Sequence, residues 1–309
     1  MKIGYLFAGQ GSQYVGMGKD LYEKYPEAKQ IYEQVKLDFD VKEACFEGPE
    51  ERLNDTAYAQ SCILVTSMAI AEVVKAKGII PEYVAGLSLG EYSALCYAEA
   101  FDVNTAANIT RMRGQIMANA LPKGTTGMAA ILNLDEAIIK EVCDDISATV
   151  GVCEIANYNC PGQIVITGTQ QAMEKACEVL LEKGARRAIP LNVSGAFHSS
   201  LLEDASLELN KVLKAEAIQK PNIKVVYNIS GKEENDDVVN ILTKQIKSSV
   251  YFMQSIQYMI DQGVDTFIEI GPGSALKGFV RKVNRDVKVY SVDTVETLDK
   301  MLKEVENNG

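Results

Sequence analysis

Three short apolar runs in this chain stop at glycines and give way to helical spacing. Residues 2–8 end at Gly9-Gln10-Gly11, residues 83–87 run into Gly86-Leu87-Ser88-Leu89-Gly90, and residues 266–270 end at Gly271-Pro272-Gly273. A strand that stops in this way and feeds a helix belongs to an α/β sheet whose site lies at the carboxyl edge of its strands. The spacing predicts helices over 19–37, 58–77, 89–98, 103–120, 237–247, 252–262 and 274–283, and one more after His198. Further strands are predicted at 224–228 and 288–292.

The segment from Thr126 to Asn192 reads as a unit of its own. It offers a strand at 128–132, a helix at 135–146 that Asp135 can cap, and strands at 152–158 and 164–167 about the turn Asn159-Cys160-Pro161-Gly162. A helix at 170–182, ended by Gly184, and a strand at 187–191 complete it. The order β-α-β-β-α-β is the ferredoxin-like pattern. A chain of 309 residues has room for one large domain with a smaller one inserted. The expected fold is therefore α/β: an α/β-hydrolase-like core with a parallel sheet over 1–125 and 194–309, plus a ferredoxin-like small domain over 126–193.

Composition excludes several functions. A net charge of −11 argues against nucleic acid, whose binding needs a basic surface. No apolar run reaches the roughly 18 residues that span a membrane. The stretch after Lys2 is too short for a signal-peptide core, so a cytoplasmic protein without a membrane partner is expected. The seven cysteines are odd in number and form no C-x-x-C pair, which points to small buried residues rather than disulfides or zinc. There is one histidine, His198, so a histidine-rich metal site is excluded. No metal or organic prosthetic group is implied.

Gly86–Gly90 fits G-x-S-x-G between a predicted strand and a predicted helix, the setting of a nucleophile elbow. The plain alternative is a glycine-rich turn whose serine caps a helix. A serine hydroxyl needs a base to take its proton, and His198 is the only imidazole available. A lone histidine is ordinarily a surface or satisfied core residue. Here the two signals support each other, because an elbow without a base would be idle.

In these motifs the chain resembles the malonyl-CoA:acyl carrier protein transacylases. Gly9-Gln10-Gly11-Ser12-Gln13 is similar to that family's N-terminal signature, and Gly86–Glu91 to its nucleophile motif. Arg113-Gly114, Gly195-Ala196-Phe197-His198, Gln245 and Gly271-Pro272-Gly273 match further landmarks in order, across essentially the whole chain. The resemblance implies that Ser88 is acylated, that His198 is the general base, and that Gln10 with the backbone N–H of Leu89 forms an oxyanion hole. It implies that Arg113 clamps the malonyl carboxylate, for which its planar fork is suited. It implies that the backbone carbonyl of Gln245 orients His198, a main-chain role that many side chains would tolerate. Asn157 and Gln163 fall where the family lines its cleft, and Phe197 beside the base goes with malonyl selection. The partners implied are malonyl-CoA, a coenzyme A thioester used as substrate, and acyl carrier protein. One departure stands out: the family usually has histidine before the nucleophile, and this chain has Leu87.

Two surface clusters could receive an acidic carrier protein. One is Lys183, Arg186 and Arg187; the other is Lys277, Arg281, Lys282 and Arg285, in which 277, 281 and 285 are spaced to share a helical face. The alternatives within reach are a free-standing acyltransferase serving a polyketide synthase, a serine thioesterase or esterase, and a silent carrier-binding module. A thioesterase would need a triad acid. Intact Ser88 and His198 argue against the silent module.

Overall fold

The computed structural model describes residues 1–193 and 195–306; Ser194, where the large domain is expected to resume, lies outside them. The first strand, β1 (Ile3–Phe7), is wholly buried. Four short helices follow: α1 (Lys19–Lys24), α2 (Pro26–Gln34), α3 (Val41–Phe46) and α4 (Glu50–Asn54). The helix expected over 19–37 is thus two. Pro26 disfavours helical backbone at the residue before it, and Tyr25 is extended at φ −118°, ψ 124°. Pro26 then opens α2, where its missing N–H costs nothing.

Next come α5 (Thr56–Ala76), β2 (Tyr83–Gly86), α6 (Leu89–Tyr97) and α7 (Val103–Asn119). The Asp102 side chain accepts the N–H groups of Asn104 and Thr105 and so caps α7, a contribution of about 1 kcal/mol. Among the described residues α5 alone is long and apolar enough to cross a membrane, with a mean hydropathy of 1.5. Gln60, Ser61, Thr66 and Ser67 interrupt its apolar run, so no unbroken stretch of that length stands in the sequence. In the structure 83% of that window is buried inside the protein, where α5 is the central core helix.

The middle of the chain supplies β3 (Thr126–Leu132), α8 (Glu136–Thr149), β4 (Cys153–Cys160), β5 (Gln163–Thr169), α9 (Gln170–Glu182) and β6 (Arg187–Pro190). Asp135 caps α8 as expected, accepting the N–H of Ala137. A 3-10 turn at Ser200–Leu202 leads into α10 (Glu203–Lys214), followed by β7 (Lys224–Val226), α11 (Val238–Gln245), α12 (Phe252–Asp261), β8 (Thr266–Ile270), α13 (Ala275–Val283), β9 (Lys288–Val292) and α14 (Val295–Glu306).

Two separate sheets result. The larger is parallel, in the order β7-β2-β1-β8-β9. Its register sets Phe7 level with Gly86 on one side and Ile270 on the other, and Ala85 level with Val226. The loops after β1, β2 and β7 therefore emerge side by side at one edge.

The smaller sheet is antiparallel, in the order β4-β5-β3-β6. Alternate side chains of a strand point to opposite faces. Ala129, Ile131, Ile155, Ile164 and Ile166 pack with α8 and α9, while Met128, Ala130 and Val165 face the main core. Irregular register at Ala156 keeps Asn157 opposite Val165, on the second face. Without that extra residue Asn157 would fall on the face of Ile155. The smaller sheet is stitched to the larger body through Val250, whose N–H donates to Ala156 O (2.8 Å) and whose carbonyl accepts from Tyr158 N (2.9 Å). The seven cysteines are all free, six of them buried.

Candidate active site

The site starts from the turn between β2 and α6. Ser88 has φ 53° and ψ −99°, a conformation that costs on the order of 1–3 kcal/mol for a residue with a side chain. The flanking glycines make the turn possible. A Cβ on Gly86 would lie 1.9 Å from the carbonyl carbon of Gly90, and one on Gly90 would lie 2.2 Å from Phe7 O. The turn is therefore packed backbone to backbone against β1, and Ser88 sits at the N-terminus of α6.

His198 arrives on the segment returning from β6. Ser88 Oγ lies 2.6 Å from its Nε2. The ring Nδ1 faces two carbonyls, Gln245 O at 3.0 Å and Ser248 O at 3.2 Å. Both can only accept, so the proton sits on Nδ1 and the lone pair of Nε2 faces the serine. Burial, and then the positive charge of Arg113, push the His198 pKa down to about 4. The imidazole is thus neutral and able to accept the serine proton at pH 7.

Arg113 comes from α7, which packs closely on α5. A Cβ on Gly114 would lie 2.4 Å from Thr56 O, so glycine there lets the two helices approach. The guanidinium is 1% exposed. It donates to Gln60 Oε1 (2.7 Å), Gln245 Oε1 (3.1 Å) and Ser88 Oγ (3.2 Å), and stands 5.0 Å from the Tyr92 ring centroid. Its bonded partners are all neutral, and its Nε has no partner among the described residues. A buried cation held only by neutral groups is suited to an anionic ligand. Burial moves its pKa below the usual arginine value.

Gln245 does more than its expected main-chain role. Its Oε1 accepts from Arg113, and its Nε2 donates to Ser88 O at 2.8 Å. One side chain thus ties the cation to the elbow, and tolerance of many side chains at 245 is not what this geometry supports. Gln10 lies at the end of β1 beside Ser88, with its carboxamide committed to Thr56 Oγ1 at 2.9 Å. Leu89 is the first residue of α6, where a backbone N–H has no partner within the helix.

A cleft of about 350 Å³ opens over these groups. Gln10, Leu87, Ser88, Phe197 and His198 line one side, and Met128, Asn157, Asn159 and Val165 of the smaller sheet line the other. Gln163 is a correction: it pairs with Cys160 at the hairpin end of β5 and is not part of the lining. Asn159 takes its place, because β4 continues through Cys160 and only Pro161-Gly162 turn. Leu87 presents an apolar wall and packs on the core beneath β2. The basic face on α13 is shorter than the spacing of 277, 281 and 285 predicts. The helix ends at Val283, so Lys277 and Arg281 share a face while Arg285 lies beyond the cap at Asn284.

Comparison with known proteins shows the family. The family model described as acyl transferase domain matches residues 4–308. The chain is 45% identical to the malonyl CoA-acyl carrier protein transacylase of Bacillus subtilis, over 100% of this chain and 99% of that one. The crystal structure of the protein of that name from Clostridium perfringens superposes with a TM-score of 0.96 at 41% identity, covering 99% and 98% of the two chains. A malonyl-transacylase solved in complex with its type II PKS acyl-carrier protein superposes with a TM-score of 0.94 at 33% identity, covering 98% and 100%.

Proposed function

The chain belongs to the acyl transferase domain family, and on that premise we propose how its cleft moves a malonyl group from malonyl-CoA to the phosphopantetheine thiol of an acyl carrier protein. It is an acyl-carrier-protein S-malonyltransferase, and the transfer supplies fatty-acid synthesis. The observation that carries the assignment of residues is the buried Arg113 bonded to Ser88 Oγ. A cation at that place suits an acyl group that ends in a carboxylate, and it disfavours a lipase.

In the first half-reaction His198 Nε2 takes the Ser88 hydroxyl proton while Oγ attacks the thioester carbonyl. The backbone N–H groups of Leu89 and Gln10 receive the oxyanion. Collapse expels the coenzyme A thiolate, which recovers the proton from His198 and leaves a malonyl ester on Ser88. In the second half-reaction His198 takes the proton of the carrier thiol, the thiolate attacks the ester, and Ser88 leaves with the proton. Arg113 holds the malonyl carboxylate throughout, and the carbonyls of Gln245 and Ser248 keep the imidazole in one tautomer. Asn157, Asn159 and Phe197 form the walls. The kinetics are ping-pong.

In this reading the parallel sheet is an α/β-hydrolase-like core over 1–125 and 194–309. The four antiparallel strands are a ferredoxin-like small domain over 126–193 that supplies one wall of the cleft. The reaction needs no metal or prosthetic group and takes place in the cytoplasm, away from membrane and nucleic acid. Incubation with malonyl-CoA followed by intact-protein mass measurement tests the reading: one malonyl group per chain is expected, located on Ser88. An unchanged mass would refute it.

A further inference from the structure

Asn228 is fully buried and lies outside the cleft lining, yet it joins several parts of the site. It stands two residues beyond β7, whose Val226 is level with Ala85, so the sheet register brings it beside the elbow. Its Nδ2 donates to Gly86 O at 2.7 Å, and its Oδ1 accepts from Ser88 N at 2.8 Å. The carboxamide therefore grips the main chain on both sides of Leu87. Gln245 Nε2 approaches the same Oδ1 at 3.4 Å.

Asn228 is itself gripped. Its backbone N–H donates to Glu91 Oε2 at 2.5 Å. Glu91 is 0% exposed, and its other oxygen has no hydrogen-bond partner among the described residues. Burial pushes the carboxyl pKa up to about 8, opposed by the bond to Asn228 and by Arg113. A buried carboxyl with an unbonded oxygen is a cost to the fold. The strained backbone of Ser88 is a second cost, one that persists only where the surroundings over-determine it. Both costs meet at Asn228.

We infer that Asn228 is a positioning residue for malonyl transfer: its carboxamide holds Ser88 in the conformation that aims Oγ at His198, and Glu91 fixes Asn228 through its main-chain N–H. The inference rests on Ser88 being the acylated residue. The same serine serves both half-reactions, so loss of the brace should slow both by a similar factor. Affinity for malonyl-CoA should stay, because Asn228 is not part of the cleft wall.

The test is single-turnover acylation by malonyl-CoA and deacylation by acyl carrier protein, for the wild type, Asn228→Ala and Asn228→Asp. Asn228→Ala is expected to lose on the order of 100-fold in both steps, the scale of a small misplacement of a reacting group, with half-saturating malonyl-CoA unchanged. Asn228→Asp carries a diagnostic signature. Its protonated carboxyl can donate to Gly86 O and accept from Ser88 N, whereas the ionised form cannot donate. Its rate relative to wild type should therefore rise as pH falls from 7 to 5, a range in which wild-type His198 stays neutral. If the wild type takes up no malonyl group, the acyl-serine reading fails. If the wild type is labelled and Asn228→Ala acylates within twofold of it, the positioning role is overturned. If Asn228→Ala is unstable, Asn228→Asp decides, and a relative rate that is flat with pH overturns it.

Discussion

Ser88 Oγ and His198 Nε2 lie 2.6 Å apart although 110 residues separate them in sequence, and both residues hold positive φ, 53° and 56°. The contact is made by two strained backbones aimed at each other. Ser88→Ala should abolish labelling by malonyl-CoA, read by intact mass. His198→Ala should slow acylation by a factor of about 10² to 10⁴, the usual contribution of a positioned base. Labelling of Ser88→Ala at one group per chain would place the nucleophile elsewhere.

The acid limb of activity should lie far below the ordinary histidine range. With the His198 pKa pushed down to about 4 by burial and by Arg113, kcat/KM should stay level from pH 7.5 to about 5.5 and fall only as pH approaches 4. A malonyl carboxylate on Arg113 offsets part of that positive charge, so the acid limb of kcat should lie above that of kcat/KM. The linkage to stability has the same direction. The folded state resists protonation of this ring, so the stability it contributes is present above pH 6.5 and is lost as pH falls toward 4. A kcat/KM limb near 6.5 would show that the ring is not held as described.

Gln245 and Arg113 offer a charge test. Arg113→Lys removes the forked donor and should lower kcat/KM for malonyl-CoA by about 10- to 100-fold, the value of a charge-assisted hydrogen bond. Gln245→Glu sets a carboxylate where Oε1 now lies, 3.1 Å from Arg113 Nη2. It should raise KM for malonyl-CoA by competing for the guanidinium. An unchanged KM in Gln245→Glu would argue against Arg113 as the carboxylate clamp.

Phe197 should restrict the acyl group. It is buried in the cleft wall next to the base. Malonyl-CoA should be preferred over methylmalonyl-CoA by more than the roughly 1–3 kcal/mol that a single methyl is worth in a pocket, because a branch would meet the ring. Phe197→Ala should narrow the preference. Equal kcat/KM for the two thioesters in the wild type would refute this.

Carrier docking should depend on the exposed cations around α13, a helix that packs against β4. Charge reversal at Arg281 and Arg285 should raise KM for acyl carrier protein by a factor on the order of 2 to 5 per site, as for exposed ion pairs. It should leave acylation by malonyl-CoA unchanged. Added salt should weaken wild-type docking in the same steady-state assay. If the reversed protein uses the carrier normally, the dock is elsewhere, with Lys183, Arg186 and Arg187 next to be tested.

The pair Ser88 and His198 was legible because each member is marked locally. An elbow is a local pattern, and a single histidine leaves no choice of base. Around that pair, Gln10, Arg113 and Gln245 came only through the family likeness, and other groups were not legible at all. Asn228 and Gln60 carry no motif, and Glu91 ends one without a sign of its bond to Asn228; strand register and close helix packing bring these groups together at the elbow. Gln163 was placed by the family likeness alone; it shares strand parity with Val165, but parity does not say how far along β5 the cleft extends. The break at Tyr25 was within reach, since the residue before a proline resists helix. So was α14, where residues 295, 298, 301, 302 and 305 carry Val, Leu, Met, Leu and Val at helical spacing. The irregularity at Ala156 left no such trace, and it alone turns Asn157 toward the cleft.

The stitch at Val250 ties the two walls of this cleft together. In the proposed reaction two large thiol carriers visit Ser88 in turn. The segment that ties the smaller sheet to the larger body also carries Ser248, whose carbonyl steadies His198. Swinging the two halves apart would disturb the base at the moment it is needed. A thin, extended arm that slips in through the mouth avoids this, like a key entering a lock whose case stays shut. Both carriers present such an arm, and the cleft can keep its catalytic geometry while the bulk of each carrier stays outside.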